Sequence, residues 1–215
     1  MELKKGLTIA FLGTDGSGKT TIIDRATPEL AKFSRIYYEH LRPNMLPNMR
    51  RLTWKRNAGN APETHPHEQK QSGLLASLFR FTYYYFDYTL GYWLKIFPRK
   101  TFDRCIWIFD RYYYEYLIDP RRTRVSLPTW FLKLGLKFIP EPELIICLGA
   151  DPETIHARKP EIPLEEVRRQ INELWDFSKK NKHAVWIDTA CNVEESVNET
   201  LRVIGERLKT GSCAR

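Results

Sequence analysis

The run Gly13-Thr-Asp-Gly-Ser-Gly-Lys-Thr20 most restricts what this chain can fold into, because it follows directly on the apolar stretch Leu7–Leu12. The stretch reads as a buried strand and a helix is predicted from Gly18, so the glycines must fill a tight strand-to-helix turn. The spacing fits G-x-x-x-x-G-K-[ST]. Glycine frees the backbone to turn its N–H groups inward around a polyanion, and the helix N-terminus adds partial positive charge. In that pattern Lys19 reaches the outer phosphates and the Thr20 hydroxyl binds Mg²⁺. Gly13, Asp15, Gly16, Ser17, Gly18, Lys19, Thr20 and Thr21 are therefore expected to hold a nucleoside triphosphate, with ATP and Mg²⁺ as the cofactors. Asp15 is the unusual member. It sets a carboxylate beside the phosphates, which is unfavourable unless it faces away or meets an acceptor or the metal sphere.

The rest of the 215 residues alternates short apolar runs with helical patterns. Strands are predicted at Leu7–Gly13, Ile36–Leu41, Cys105–Asp110, Glu143–Gly149 and Ala184–Asp188. Helices are predicted at Gly18–Lys32, Glu68–Ile96, Pro128–Phe138, Pro152–Arg158, Leu164–Asn181 and Val193–Leu208. Pro28 predicts a kink in the first helix, or a second start capped by Thr27. Continuously apolar strands separated by helices imply a parallel sheet covered on both faces, hence an α/β fold. The length suits a single domain over residues 1–215.

The third strand ends in Asp110-Arg111-Tyr112. Strand C-termini of a doubly wound sheet face the ligand crevice, which lets Asp110 meet the Mg²⁺ sphere and Arg111 a phosphate. Gly13–Thr21 together with Asp110-Arg111-Tyr112 resembles the thymidylate kinase family of nucleoside monophosphate kinases. Val185–Ala190 followed by Val193–Leu208 is similar to that family's last strand, turn and closing helix, and Asp151-Pro152-Glu153 through Arg158 to its lid entry. The resemblance implies a P-loop NTPase fold with a five-stranded parallel sheet in the order 2-3-1-4-5. It also implies a short lid around 151–168 and an acceptor-side insertion around 43–100. It makes Arg158 the lid arginine near the donor, supported by Lys159, Arg168 and Arg169, and puts Ala190 and Cys191 where the turn borders the adenine. Lys19, Asp15, Asp110, Arg111 and Arg158 would then form the catalytic set.

The acceptor half departs from that pattern. The family's Arg-Glu-Pro-Gly-Gly is reduced here to Arg42-Pro43, and the central helix carries Arg80 and a run of aromatics. After Asp110-Arg111 the chain reads Tyr112-Tyr113-Tyr114-Glu115-Tyr116 and then Asp119-Pro120-Arg121-Arg122-Thr123-Arg124. Aromatic planes such as Tyr84 and Tyr112 suit a base or a sugar face. Arg42, Arg80, Arg121, Arg122 and Arg124 suit a phosphate or carboxylate, which arginine grips bidentately. Glu39 joins Asp15 and Asp110 as a candidate base. The chain is thus read as an ATP-dependent phosphotransferase acting on a small nucleoside monophosphate-like acceptor other than thymidine monophosphate. A hydroxyl on a sugar or surface glycan is the alternative acceptor, since a hydroxyl benefits from a nearby base and a phosphate does not. A nucleotide-binding regulatory protein without an acceptor is a further reading.

Charge enters last. Lys and Arg outnumber Asp and Glu by 34 to 26, and aromatics make up 13%. The basic residues are scattered rather than striped, which argues against nucleic acid as the partner. The four cysteines, with no Cys-x-x-Cys pair, read as reduced thiols of a cytoplasmic protein. The aromatic stretch Tyr83–Trp93, flanked by Lys95, Arg99 and Lys100, leaves peripheral contact with an inner membrane surface open, and a homodimer stays open as well. His65-Pro66-His67-Glu68 reads as a polar loop rather than a metal site.

Overall fold

The computed structural model describes residues 6–47, 73–123 and 125–210. Five strands form one parallel sheet: β1 (Leu7–Leu12), β2 (Ile36–His40), β3 (Ile106–Asp110), β4 (Leu144–Gly149) and β5 (Ala184–Asp188), in the order β2-β3-β1-β4-β5. The expected strand order is the observed one. Every residue of β1, β3 and β4 is buried, whereas the edge strands β2 and β5 are mostly half-buried or exposed. This is why the three central runs are continuously apolar and β2 tolerates Tyr38, Glu39 and His40.

Alternate side chains feed two cores. On one face Ile9, Phe11, Ile106, Ile108, Ile146 and Leu148 pack with Ile22, Ile23 and Leu30 of α1 (Lys19–Ala31) and with Val203 and Ile204 of α9 (Val193–Thr210). On the other, Leu12, Trp107, Phe109 and Ile145 meet a tyrosine-rich layer. That layer comes from α2 (Leu74–Gly91) and the turn after it, from Tyr112–Tyr114, and from α4 (Glu115–Ile118) and α6 (Thr129–Gly135), with Leu174 of α8 (Leu164–Lys180) beside it; α3 (Phe97–Phe102) and α5 (Pro120–Thr123) are short helices outside this core. The remaining helix, α7 (Pro152–Arg158), follows β4.

Several local expectations are corrected. Pro28 lies inside an unbroken α1, and the Thr27 hydroxyl donates to the Ile23 carbonyl at 2.7 Å instead of capping a second start. The aromatic helix does not stop at Ile96. A wide π turn, Tyr92–Ile96, joins α2 to α3 just before Pro98, whose missing N–H cannot serve the Leu94 carbonyl. The helices α4 and α5 were not predicted. Yet Asp119-Pro120 is a helix-start signal: the Asp119 carboxylate accepts from the Arg122 amide at 3.2 Å and proline takes the first helical position.

The tyrosine layer also corrects the acceptor reading of Tyr112. Its ring is 1% exposed and its hydroxyl donates to the Pro140 carbonyl at 2.7 Å, so it is core. Tyr113 is buried too, donating to the Leu132 carbonyl at 2.9 Å. A buried phenol needs such a partner, and burial holds both hydroxyls well above their ordinary pKa.

The end of β2 is pinned to α2. Arg42 donates to the Asp87 carboxylate at 2.6 Å, with side-chain exposures of 6% and 0%. Asp87 also accepts the Leu46 amide at 2.7 Å, and Tyr88 donates to the Leu41 carbonyl. Removing one member of such a pair strands a buried charge, so Asp87→Ala should cost about 3–5 kcal/mol in urea unfolding. Adding Arg42→Met should recover much of that loss; a double variant as unstable as the single would show that the ion pair is not what holds this junction.

Candidate active site

The glycine loop leaves β1 buried at Leu12 and enters α1 at Lys19. Gly16 and Gly18 have φ of 85° and 81°, the left-handed region that suits glycine. A Cβ on Gly16 would stand 2.8 Å from the Ile155 carbonyl, so α7 lies directly against the loop. A Cβ on Gly18 would meet nothing within 4 Å, since that residue opens onto a cavity of about 570 Å³ at the carboxyl ends of the strands. Thr14, Asp15, Gly16, Gly18, Lys19, Thr20 and Thr21 line it from the loop. Gly13 and Ser17 are buried behind it, packed so closely that a Cβ on Gly13 would meet the Ser17 hydroxyl oxygen at 2.6 Å.

Lys19 curls over this loop, donating to the carbonyls of Gly13 at 2.6 Å and Thr14 at 3.0 Å. Burial, and then the neighbouring Arg111 charge, press its ammonium from the ordinary 10.5 down to about 7, against the pull of Glu115, Asp15 and Asp110. The site is thus built around a cation whose charge its burial and the nearby Arg111 disfavour.

Arg111 follows β3 with a φ of 70°, which turns its side chain back toward the loop. It donates to Asp15 at 2.7 Å and to Glu115, one turn on, at 2.9 Å. Arg122 of α5 grips the other Asp15 oxygen and lies 3.4 Å from Asp119. Burial alone would raise the Asp15 carboxyl, but Arg111, Arg122, Lys19 and Lys159 outweigh it and hold it at about 2. At the cavity wall the Asp15 carboxylate is thus paired with two guanidinium groups, which offset its charge beside a phosphate site.

Asp110 aligns with Phe11 on one side and His40 on the other in the strand register. One oxygen accepts from the Tyr38 hydroxyl at 3.1 Å and lies 3.1 Å from His40 Nδ1. The other, Oδ1, is buried with no hydrogen-bond partner. Burial disfavours the charge, but the His40 contact, Lys19 and Arg111 keep the carboxyl below its usual range. An ionised oxygen without a donor, with the exposed Thr20 hydroxyl in the same cavity, fits a hard, oxygen-seeking cation such as Mg²⁺. No cluster of three or more His, Cys, Asp or Glu residues occurs among the described residues; one carboxylate with phosphate oxygens is a common Mg²⁺ arrangement.

Arg158 and Lys159, at the end of α7, close the opposite wall, with Arg158 donating to the Thr189 carbonyl at 2.9 Å. Thr189, Val193 and Ser196 form the wall at the last turn. Ala190 does not join them; it is exposed, with its amide on the Asp188 carboxylate at 2.8 Å. Arg168 and Arg169 are held by Glu153 and Glu165 and by Glu166 and Glu173.

The acceptor candidates Glu39, Arg42, Arg80 and Tyr84 do not line this cavity. Glu39 is engaged by Lys95 and by Asn44 at 3.0 Å. Arg42, tied to Asp87, lies over the Tyr84 ring at 4.5 Å. Arg80 is half-buried on α2, and with Arg42 it acts electrostatically on the Tyr116 hydroxyl. Arg121 lies in α5, but its side chain, Arg124, and the His65–His67 pair are outside the described residues. Sequence reasoning missed Tyr38 and Glu115. The alternation of Tyr38 and His40 along β2 was the available signal for the first, and the four-residue step from Arg111 for the second.

No protein-family model and no curated protein matches the chain. Solved structures do. Thymidylate kinase from Ehrlichia chaffeensis is similar with a TM-score of 0.62 at 16% identity, over 93% of this chain and 99% of that one. Thymidylate kinase from Candida albicans is similar with a TM-score of 0.65 at 15% identity, over 95% and 94%. The chain therefore has a thymidylate kinase-like α/β fold.

Proposed function

We propose that this chain is an ATP- and Mg²⁺-dependent phosphotransferase that moves the γ-phosphoryl group of ATP to a small anionic acceptor, nucleoside monophosphate-like and other than thymidine monophosphate. One observation carries the reading: Lys19, Arg111, Arg122, Arg158 and Lys159 converge on a single cavity at the carboxyl ends of the strands, beside a glycine loop shaped for phosphate. Lys19 and the loop amides would hold the donor's outer phosphates, and Arg158 would cover them from α7. Arg111 and Arg122 would bridge donor and acceptor. The acceptor oxygen attacks the γ-phosphorus in line as the bond to the β-phosphate breaks, and the arginines and Lys19 balance the charge spreading over the transferring group. Bound Mg²⁺, for which Thr20 and Asp110 are the candidate holders, would neutralise phosphate charge. An anionic acceptor is favoured because Asp15, held at about 2, is a poor base, Glu39 lies outside the cavity, and Arg111 and Arg122 can exchange Asp15 for phosphate.

A second reading is supported by the unpartnered Oδ1 of Asp110. If that oxygen takes a proton from the acceptor, a sugar or glycan hydroxyl fits. Incubating the protein with γ-labelled ATP, Mg²⁺ and a panel of nucleotides and saccharides, with ³¹P NMR of the product, separates the two. A phosphoanhydride is expected, and a phosphate ester would move the assignment to the hydroxyl reading. Label on neither class with nucleotide still bound would leave the regulatory role. Lys19→Ala should cut transfer on the order of 100-fold or more at unchanged folding, and unchanged turnover would remove the loop from the mechanism.

The depressed lysine gives a pH signature. Above about 7 the free chain's Lys19 is increasingly neutral, and a bound polyphosphate favours the ammonium again. Nucleoside triphosphate binding should therefore take up about half a proton per site near pH 7 and nearly one near pH 8.5. Affinity falls as pH rises through that window. Calorimetry in buffers of different ionisation enthalpy measures the uptake; none at the higher pH would show that Lys19 does not meet phosphate.

A further inference from the structure

We propose that the exposed face formed by α2, α3 and α6 docks on an anionic phospholipid surface. This goes beyond the phosphotransferase reading and does not depend on it. Leu75, Phe79, Phe86, Leu90 and Trp93 recur at steps of three, four or seven residues, and each is between 45% and 82% exposed. They form one continuous stripe on the outer side of a helix whose inner side is packed core. Monomeric proteins seldom leave such a stripe facing water.

The stripe has a basic neighbour. The Tyr85 hydroxyl donates to the Gly135 carbonyl at 3.2 Å, and the Phe81 and Phe131 rings meet at 5.4 Å, so α6 lies along the flank of α2. On α6 and just beyond it, Trp130, Leu134 and Phe138 are exposed at four-residue steps, with the exposed Lys133 and Lys137 between them. Interleaved aromatics and lysines are the composition of a helix lying at a lipid interface, the rings entering the headgroup layer and the ammonium groups meeting lipid phosphate.

Charge decides the occupant. Asp87 is the only acidic residue in the stretch 73–102, and it is buried against Arg42; the stretch 120–138 has none. Asp103 is the first exposed acid after α3. Two copies joined face to face through this surface would bring lysines together with no carboxylate from either stretch to offset them. An anionic bilayer supplies the missing charge to a chain of net charge +8. Of the flanking cations the sequence suggested, Lys95 is engaged by Glu39, Lys100 by Glu143, and Arg99 lies over the Tyr37 ring at 5.6 Å, so the exposed Lys133 and Lys137 carry the charge of this face. No helix among the described residues is long and apolar enough to cross a membrane, so the contact proposed is with the surface.

The test uses the full chain with vesicles of phosphatidylcholine alone or mixed with phosphatidylglycerol, read by co-sedimentation, with light scattering for the oligomeric state. Binding to the phosphatidylglycerol vesicles is expected, at least about tenfold stronger than to the neutral ones, given roughly fivefold per basic residue at the surface. Phe86→Glu with Trp93→Glu, and separately Lys133→Glu with Lys137→Glu, should each weaken it at least about tenfold while circular dichroism is unchanged, since all four side chains are exposed. Absent binding, or binding that neither pair alters, overturns the proposal. So does a stable dimer that Phe86→Glu with Trp93→Glu dissociates while vesicles bind neither form, which would make the face a self-interface.

Discussion

Cations held together in a confined space set the terms for this structure. Lys19 is buried beside Arg111, with Arg122 and Lys159 on the same cavity. In such surroundings like charges repel more strongly than in water, and the chain offsets this with carboxylates placed one residue at a time. Asp15 lies between Arg111 and Arg122, Glu115 takes the other arm of Arg111, and Asp119 steadies Arg122. The compensation is incomplete at Lys19, whose ammonium stays pressed down to about 7. A ligand bringing several negative charges would complete it. The fold serves that end: burial of β1, β3 and β4 fixes where the glycine loop and Asp110 emerge, and α7 against Gly16 fixes the far wall.

Much of the fold was legible because its signals are local or periodic. The three central strands are continuous apolar runs, and the glycine loop with its flanking strand and helix follows from the sterics of one turn. That Lys19, Asp110 and Arg111 line one cavity was legible because they stand at strand ends or in the loop itself, whereas Arg158, on the same cavity, was expected only from the family resemblance. What was not legible depends on long-range pairing. Glu39 and Lys95 are separated by 56 residues, Arg42 and Asp87 by 45, and Asp15 and Arg122 by 107. No periodicity announces such partners. A lone arginine such as Arg42 therefore read as a free phosphate ligand when it is half of a buried pair.

The tyrosines show the same limit in another form. A run such as Tyr112-Tyr113-Tyr114 offers rings and hydroxyls, and the rings alone suggest a surface for a base. In the structure the hydroxyls of Tyr112, Tyr113 and Tyr88 go to main-chain carbonyls, and their rings meet edge to face. Main-chain carbonyls have no sequence signature, so a buried tyrosine satisfied by one cannot be told from a ligand-binding tyrosine until the fold is known.

On the proposed phosphotransferase reading, these placements narrow where acceptor specificity would lie. Tyr112 is withdrawn into the core, Glu39 is closed by Lys95 and Asn44, and Arg42 by Asp87. Among the described residues, the polar groups that both face the cavity and stand on the acceptor side of the glycine loop are His40, Asp110, Arg111 and Arg122. Three of these are fixed by strand ends, whose positions the sheet register dictates. Arg122 alone belongs to a short helix, and its aim depends on the Asp119 cap and on Asp15. On the phosphotransferase reading, a change of acceptor would be made in the segment after α4, which leaves the sheet intact and reaches the glycine loop only through the Arg122–Asp15 pair. That segment is one of three, with the stretch after β2 and the aromatic part of α2, in which this chain departs from the pattern its glycine loop resembles.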